Sequence, residues 1–449
     1  MHISRKRLCR PILSLSLAAA LLAQPVLAAG QPTVPQGWTS PFSDVNQGDW
    51  YYPFVAVLNS QGVIAGYPDG RFGPKDPISA GAALVMVLKA AGCGDLEPLQ
   101  DAHYAASYAN YAVSRGWLTW DEIPDDLNGA VSRLFVAQLA AKALGLEPAE
   151  GGFSPFADVD DGYVTALQQG GIVNGSIQDG VRVFCPESSI TRAEVSAIVW
   201  QVQAYASHIR FGSHTLDILP GVPASVWDKG AFLNTGGRMT YTGQGAEPAL
   251  GVDVSSHQGD IDWEAVAGDG IDFAMIRAGG RYYGKDSGTI FEDTRFRDNI
   301  RGASDAGLEA GVYFFSQAVS VEEAEEEARF VLDLLKDCDI TGPVVFDWEN
   351  ISNAPARTDG VDSATLTAAA NAFCTLVEEA GYQPMIYFNQ YIAYLLYDLE
   401  GVAQYPFWLA QYSDTPDFHY NFQMWQYTDA GQVAGIQGKA DLNLRLLPW

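Results

Sequence analysis

Short apolar runs alternate with helical patterns through the second half of this chain, and this alternation constrains the fold more than any other feature. It predicts eight strands, at residues 251–254, 273–277, 311–316, 343–349, 384–389, 407–412, 422–427 and 440–444. Helical patterns lie between several of them, most clearly at residues 321–337 and 364–380. Alternating strands and helices favour a parallel sheet, and eight strands predict a TIM-like α/β barrel over residues 249–449. Short connections late in the chain predict an irregular barrel.

The first half of the chain repeats itself. Residues 42–45 (Phe-Ser-Asp-Val) recur as residues 156–159 (Phe-Ala-Asp-Val), and residues 72–74 (Phe-Gly-Pro) recur as residues 184–186 (Phe-Cys-Pro). Self-similarity at such a period is typical of an array of small helical units. Three apolar helical stretches begin where a hydroxyl group can cap a free helical N–H, at Ser79, Ser132 and Thr191.

These segments resemble S-layer homology repeats, three of which typically form a helical pseudo-trimer that binds cell-wall polysaccharide. The resemblance rests mainly on residues 66–72 (Gly-Tyr-Pro-Asp-Gly-Arg-Phe) and 190–194 (Ile-Thr-Arg-Ala-Glu). The second motif is complete only in the third repeat. The resemblance implies a helix-rich domain at residues 38–203, with repeats at about 40–92, 101–146 and 154–203.

Two arginines of these repeats are candidates for glycan binding. In the family, the arginine of this motif contacts an acidic wall sugar, and Arg133 and Arg192 occupy the matching positions here. A guanidinium fork is a good match to a carboxylate on a glycan. The alternative is that Arg192 and Glu194 only cap and orient their helix.

The first 28 residues have the pattern of an export signal. A basic start with four Lys and Arg residues precedes an apolar run at residues 12–23, and residues 26–28 (Val-Leu-Ala) fit a small-residue cleavage site. The run is too short for a comfortable membrane span, which takes about 20 apolar residues. We therefore expect residues 1–28 to be a signal peptide and the protein to be secreted to the cell wall or cell surface, without membrane insertion.

Charge and composition exclude several partners. The chain has 26 Lys and Arg against 54 Asp and Glu, a net charge of −28, whereas nucleic-acid binding needs a basic surface. No metal or other cofactor is expected, because the six histidines are scattered and no phosphate-binding loop is present.

Residues 204–248 are rich in Gly and Pro and show little periodicity, which predicts a linker with some local structure.

Four acidic residues lie where strands of the predicted barrel end, and the active sites of such barrels lie at the C-terminal ends of the strands. Asp253 is near the end of the first strand, and Asp441 begins the last. Asp347 and Glu349 follow an apolar run and point to the same face, with no Lys or Arg beside them. Burial and like-charge proximity raise the pKa of one carboxyl group, which places a proton donor beside an ionised partner. Glycoside cleavage uses this division of labour.

The second half of the chain resembles family 25 glycoside hydrolases, the Chalaropsis-type lysozymes or N-acetylmuramidases. The resemblance spans about residues 249–449 in the family's motif order. Its motifs are residues 253–259 (Asp-Val-Ser-Ser-His-Gln-Gly), 273–279 (Phe-Ala-Met-Ile-Arg-Ala-Gly), 311–316 (Gly-Val-Tyr-Phe-Phe-Ser), 347–349 (Asp-Trp-Glu), 424–427 (Met-Trp-Gln-Tyr) and 441–443 (Asp-Leu-Asn).

This resemblance implies a peptidoglycan hydrolase that cleaves the β-1,4 bond between N-acetylmuramic acid and N-acetylglucosamine. Glu349 would be the general acid and later the base, and Asp347 would orient and stabilise the N-acetyl group of the substrate. Asp253 and Asp441 would hold the acid pair and the ring substituents in place. A substrate-assisted mechanism with net retention is the expected course.

Other strand-end residues are candidates for substrate binding. Tyr313, Tyr387 and Trp425 could stack on sugar rings, and Arg277 and Gln411 are similar polar candidates. Two alternatives stay open at this point. The barrel could be a non-catalytic sugar-binding part of a wall or surface-layer protein, or a barrel hydrolase of another class, such as a metal-dependent deacetylase.

Overall fold

The computed structural model describes residues 32–150, 154–284, 288–351 and 354–448. The chain divides after Asp217 into two compact units. The predicted signal peptide, residues 1–28, lies outside the described residues. In the part of the chain that the structure describes, no helix is both long and apolar enough to cross a membrane.

The described residues of the N-terminal unit form six helices and two short antiparallel hairpins. The hairpins were not predicted; they join β1 to β2 and β3 to β4. The elements are α1 (Tyr52–Ser60), α2 (Ala80–Ala90), α3 (Ala106–Ser114), α4 (Arg133–Ala143), α5 (Gly162–Gln169), β1 (Ser176–Gln178), β2 (Val181–Val183), α6 (Arg192–Ala206), β3 (His208–Phe211) and β4 (His214–Asp217).

The three predicted helix caps are confirmed. The hydroxyl oxygen of Ser79 accepts a hydrogen bond from the Ala82 N–H, and Ser132 and Thr191 cap α4 and α6 in the same way. The segments before these helices also bond to one another: the N–H of Ile78 donates to the Ile190 carbonyl at 2.8 Å, and the N–H of Arg133 donates to the Ser188 carbonyl at 2.9 Å. Backbone hydrogen bonds therefore join the N-terminal ends of the three long helices, α2, α4 and α6.

The sequence repeat corresponds to a repeated local structure. The carboxylate of Asp44 accepts the N–H groups of Phe72 and Gly73 at 2.7 and 2.9 Å. The carboxylate of Asp158 likewise accepts two N–H groups at 2.7 Å, from residues 184 and 185. The second residue of each pair has a positive φ, +69° in one repeat and +60° in the other. The same turn is thus built with a glycine once and a cysteine once.

Residues 204–248, predicted as a linker, are divided between the two units. Residues 204–206 end α6, and the β3–β4 hairpin belongs to the N-terminal unit. A further antiparallel hairpin, β5 (Phe232–Thr235) and β6 (Arg238–Tyr241), belongs to the C-terminal unit. It packs on the barrel, where the ring of Phe232 lies 5.3 Å from that of Trp425.

The rest of the C-terminal unit contains the strands and helices of an α/β barrel. Its elements are β7 (Ala249–Val254), α7 (Trp263–Gly268), β8 (Phe273–Arg281), β9 (Ile290–Glu292), α8 (Phe296–Asp305), β10 (Glu309–Ser316), α9 (Val321–Leu335), β11 (Val344–Trp348), α10 (Ser363–Glu379), β12 (Pro384–Asn389), α11 (Gln390–Leu395), β13 (Phe407–Ala410), β14 (Met424–Gly431) and β15 (Ala440–Arg445).

Eight of these strands close into a barrel, as the sequence predicts. Strands β7, β8 and β10 to β14 run parallel to their neighbours, and the pairing of β10 with β8 continues the ring. The last strand, β15, closes it by pairing antiparallel to both β14 and β7. A short extra strand, β9, adds antiparallel to β8. Because β15 runs antiparallel to the other seven strands of the barrel, its first residues lie at the same rim as the last residues of those strands.

Alternation of side chains along the strands separates the barrel interior from the helix layer. Met275, Val345 and Met424 point inward into a small apolar core. Phe346, one residue further along β11, points outward and packs on Phe373 of α10, with ring centroids 5.1 Å apart. The apolar core fills the barrel below the rim, so inward positions nearer the strand ends are left to polar side chains.

Candidate active site

A cavity of about 250 Å³ opens at the C-terminal rim of the barrel. All four acids that the sequence singled out line it, together with Tyr313, Tyr387 and Arg277. The other residues of its wall are Ser255, His257, Gln258, Phe315, Trp408, Tyr412 and Gln426. The barrel thus brings together side chains from all eight of its strands or the loops that follow them.

Asp347 and Glu349 stand at the end of β11, two residues apart and therefore on the same face. Asp347 is buried, and its Oδ1 has no hydrogen-bond partner among the described residues. Burial, and then the nearby charges of Glu349 and Asp253, raise the pKa of Asp347 well above its usual value. Burial, followed by the charge of Asp441, also raises the pKa of Glu349.

Asp253 and Asp441 form a second pair of acids, opposite each other in the antiparallel register of β7 and β15. Oδ2 of Asp253 accepts hydrogen bonds from the amide groups of Gln426 and Asn443, each at 2.8 Å. Burial raises the pKa of Asp253 despite these bonds. Burial, together with the charge of Asp253 and a hydrogen bond to it, raises the pKa of Asp441 to about 8.

The acids of this cavity are not neutralised by a dedicated cation. Among the described residues that line it, Arg277 is the only Lys or Arg. Its guanidinium is paired with Asp293, at 2.6 Å, and the pKa of Asp293 is lowered because hydrogen bonds from backbone N–H groups and from Arg277 outweigh its burial. Since like charges at close range cannot all ionise, the cluster retains protons near neutral pH.

This proton distribution differs in one respect from the expectation. The sequence predicted a protonated Glu349 beside an ionised Asp347, whereas the structure raises the pKa of both. The physical reason is that Asp347 lies deeper in the barrel than Glu349 and has an oxygen without a donor among the described residues. Burial and neighbouring charge therefore favour the protonated form of Asp347 as well as that of Glu349.

Aromatic rings form the rest of the wall. Tyr313 and Tyr387 both contact Trp408 edge to face, with ring centroids 6.1 and 4.8 Å apart. The Tyr387 hydroxyl group donates to Oε1 of Gln426 at 3.0 Å, and the Tyr412 hydroxyl group donates to the same oxygen at 3.1 Å. Both tyrosines are thereby held by the amide that also binds Asp253.

Two of the predicted substrate-binding residues lie away from the cavity. Trp425 is fully buried and points outward from the barrel, where its Nε1 donates to the Gln411 carbonyl at 2.8 Å. It lies between the inward-facing Met424 and Gln426, so strand alternation turns it to the other face. The Gln411 side chain bonds to Asp417, at 2.7 Å, beyond the end of β13.

Gln426, Trp408 and Tyr412 were not predicted as site residues. The available signal for Gln426 was an amide inside an apolar strand, Met-Trp-Gln-Tyr, because a buried polar group needs hydrogen-bond partners. His257, from the motif at residues 253–259, also lines the cavity. Among the described residues, no group of three or more His, Cys, Asp and Glu side chains is arranged to hold a metal ion.

The two arginines proposed for glycan binding have different surroundings. Arg133 pairs with Glu194 at 2.7 Å and lines a cavity of about 100 Å³ in the N-terminal unit, beside Trp50 and Phe54. Arg192 is buried instead. Its Nε donates to the Phe72 carbonyl, and its guanidinium lies 4.8 Å from the centroids of two aromatic rings. Its contacts fit the alternative role, in which Arg192 orients its helix within the repeat array.

Two family models match this chain. The family model described as glycosyl hydrolases family 25 matches residues 252–436, and the model of the S-layer homology domain matches residues 41–81. A closed α/β barrel with a cavity of acids at its C-terminal rim has the architecture of a barrel enzyme. The chain belongs to glycosyl hydrolases family 25 and carries an S-layer homology domain.

Three similar proteins illustrate this relationship. A curated Escherichia coli K12 protein, "Uncharacterized protein YegX", is 31% identical over 206 residues, which are 43% of this chain and 68% of the relative. The "Autolytic lysozyme" of Clostridium acetobutylicum is 28% identical over 196 residues, and the match spans 43% of this chain and 54% of the relative's length. A solved family 25 glycosyl hydrolase of Bacillus anthracis is 24% identical, with a TM-score of 0.38, over 48% of this chain and 94% of that structure.

Proposed function

We propose that the C-terminal unit is a peptidoglycan hydrolase, an N-acetylmuramidase that cleaves the β-1,4 bond between N-acetylmuramic acid and N-acetylglucosamine. One observation carries the proposal: four carboxyl groups with raised pKa values share one cavity, and the buried Oδ1 of Asp347 has no partner within the described residues. Such a group costs stability unless a ligand completes it. Family membership then identifies the ligand class as a glycoside.

In this proposal Glu349 is the general acid. Its carboxyl proton passes to the glycosidic oxygen while the bond from that oxygen to the anomeric carbon breaks. The carbonyl oxygen of the substrate's own N-acetyl group attacks the anomeric carbon from the opposite face, and positive charge develops on the acetamido nitrogen. Asp347 acts in its ionised form, and its carboxylate stabilises this charge.

The second half of the reaction returns the enzyme to its starting state. Glu349, now ionised, takes a proton from a water molecule whose oxygen attacks the anomeric carbon, and the bond to the acetyl oxygen breaks. Two displacements at the same carbon give net retention. Asp253 and Asp441, joined across β7 and β15, hold the acid pair and the sugar substituents in position.

We propose further that the protein is exported and that its N-terminal repeats hold it on the wall through an acidic secondary polysaccharide. The support is the matched S-layer homology domain and the Arg133 cavity, which presents one guanidinium group beside the half-exposed ring of Trp50. Tethering raises the local concentration of substrate without requiring tight binding in the active site.

The test is Glu349→Gln in the full chain, with Glu322→Gln as the control, since Glu322 is a fully exposed acid on α9. We expect Glu349→Gln to lower the release of reducing ends from purified walls by at least about 10²-fold, because it removes the proton donor. Sedimentation with walls should be unchanged. Mass spectrometry of the digest should find muramic acid at the new reducing ends.

Two outcomes would count against the proposal. Wall lysis by Glu349→Gln at the wild-type rate would remove Glu349 from the chemistry. A wild-type protein that binds walls but releases no reducing ends would favour the alternative, a non-catalytic sugar-binding protein of the wall or surface layer.

A further inference from the structure

A second cavity, of about 450 Å³, lies beside the first in the C-terminal unit. Tyr412 lines both cavities, so its ring is the partition between them. The hydrogen bond from the Tyr412 hydroxyl group to Gln426 holds the ring in this position. A ligand bound against the acid cluster therefore has a neighbouring space into which a substituent can extend.

The wall of this second cavity includes the β5–β6 hairpin, which precedes the matched segment 252–436. The turn of the hairpin, Gly236 and Gly237, has positive φ at both residues. Two contacts fix it to the barrel: the Tyr427 hydroxyl group donates to the Gly237 carbonyl at 3.3 Å, and Nδ2 of Asn234 donates to Asp414 at 3.2 Å. The hairpin side of the cavity wall thus lies outside the segment that the family model matches.

Arg238 presents an unused donor within this cavity. Its second terminal nitrogen, NH2, pairs with Asp269 and donates to the Gln432 carbonyl at 2.9 Å. Its other terminal nitrogen, NH1, is buried and has no partner among the described residues. A buried guanidinium nitrogen without an acceptor is costly, and its best partner is a carboxylate.

The cavity also contains a negatively charged side chain, opposite in sign to Arg238. Asp414 is exposed and lines it together with hydroxyl and amide groups, namely those of Ser413, Thr428 and Gln432. Arg238 keeps Asp269 as its counter-charge, but a neutral sugar ring would bring no carboxylate to its remaining nitrogen and no cation to Asp414. A short peptide that bears carboxylates and an amino group matches them. In peptidoglycan, such a peptide is attached to the lactyl group of muramic acid, which is the residue whose bond is cleaved under the proposed function.

We propose that the second cavity binds the peptide stem of the substrate, with a stem carboxylate on the guanidinium group of Arg238. This inference rests on the proposed function. It makes the enzyme selective for glycan strands that still carry their peptides, because a stripped strand leaves the Arg238 donor unsatisfied.

The experiment compares kcat/KM on soluble peptidoglycan strands with kcat/KM on the same strands after an amidase has removed the stems. The full chain is used as wild type, as Arg238→Lys and as Ala430→Glu. Lysine can keep the ion pair with Asp269 but lacks the second nitrogen. The glutamate at residue 430, on the cavity wall, competes with the stem for Arg238. Thr240→Ser, an exposed position of the same hairpin, is the control.

We expect the wild type to prefer stem-bearing strands, and we expect both cavity variants to reduce that preference about tenfold, the size of one charged hydrogen bond. Thr240→Ser should keep the wild-type ratio. Equal rates on both substrates in the wild type, or a ratio unchanged in both variants, would overturn this inference and leave the hydrolase assignment intact. Cleavage of neither substrate would overturn the hydrolase assignment, and this inference with it.

Discussion

Acidic side chains outside the barrel and those inside its rim are buried to similar extents, but they differ in their partners. Glu327, on α9, is fully buried, and its two oxygens accept hydrogen bonds from Nε of Arg281 and from the Ser316 hydroxyl group, each at 2.6 Å. Asp293 accepts two backbone N–H groups as well as the Arg277 guanidinium. Asp347, at the inner rim, has an oxygen with no donor in the described chain.

The difference separates acids that support the fold from acids that are available for chemistry. Partners hold the pKa of Asp293 below its usual range although the residue is buried. Without such partners, burial and like charge drive the pKa of Asp347 upward. The rim therefore stores unfavourable free energy that a substrate can relieve, whereas the oxygens of Asp293 and Glu327 already have donors, although burial still raises the pKa of Glu327 to about 7.

Substitution of Asp347 by Asn should give the clearest test of the difference between acids that have hydrogen-bond partners and acids that lack them. We expect release of reducing ends to fall by about 10²–10³-fold, because the carboxylate that stabilises developing charge is gone. The thermal midpoint at pH 7 should stay the same or rise, since a costly buried acid becomes neutral. Calorimetry and the wall assay measure the two effects.

The matched control is Asp293→Asn, which removes an acid that has partners. It should lower the thermal midpoint, because the Arg277 guanidinium loses its counter-charge. If Asp347→Asn destabilised the protein as much as Asp293→Asn does, the distinction between the inner and outer acids would not hold.

Substitution of Arg281 by Met should give the largest loss of stability among the outer pairs. It leaves Glu327 buried without its cation, and the breaking of such a buried pair typically costs about 3–5 kcal/mol. Calorimetry of the full chain measures the shift in the transition of the C-terminal unit.

Arg329→Met is the control for this experiment, because Arg329 pairs with Glu325 on the same helix but is 61% exposed. An exposed pair of this kind contributes about 0.3–0.5 kcal/mol. A loss in Arg281→Met no greater than that in Arg329→Met would show that burial does not set the strength of the pair.

Much of the barrel could be predicted from the sequence, because each strand is a short apolar run between turn signals. All eight predicted strands are present, with ends that differ by a few residues. The direction of β15 could not be predicted, since an apolar run carries no sign of whether it runs parallel or antiparallel to its neighbours. The β5–β6 hairpin was missed because its strands are four residues long and its turn resembles the Gly-rich stretch around it.

The candidate site was predictable where it depended on strand ends, and less so where it depended on which face a side chain takes. The four acids were found from their positions alone. Trp425 was assigned to the wrong face, because the inward register of β14 is set by Met424 and its neighbours in the barrel. Arg192 was a candidate for glycan binding, with orientation of its helix as the alternative, and its burial beside two aromatic rings could not be predicted because a motif does not reveal the burial of its own residues.

The pair of Asp441 and Asp253 gives the smallest and most specific test of the contrast. The pKa of Asp441 rises from its usual 3.8 to about 8, so the folded state holds this proton more tightly than the unfolded chain. The resulting stabilisation is complete below about pH 4 and is lost as the pH rises through about 8. The opening free energy of β15 should therefore fall between pH 5 and 8.5, at roughly 1 kcal/mol per pH unit or less. Hydrogen exchange of β15 peptides, corrected for intrinsic rates, measures this slope, and Asp441→Asn should make it shallower. An unchanged slope in Asp441→Asn would mean that the proton is held elsewhere in the cluster.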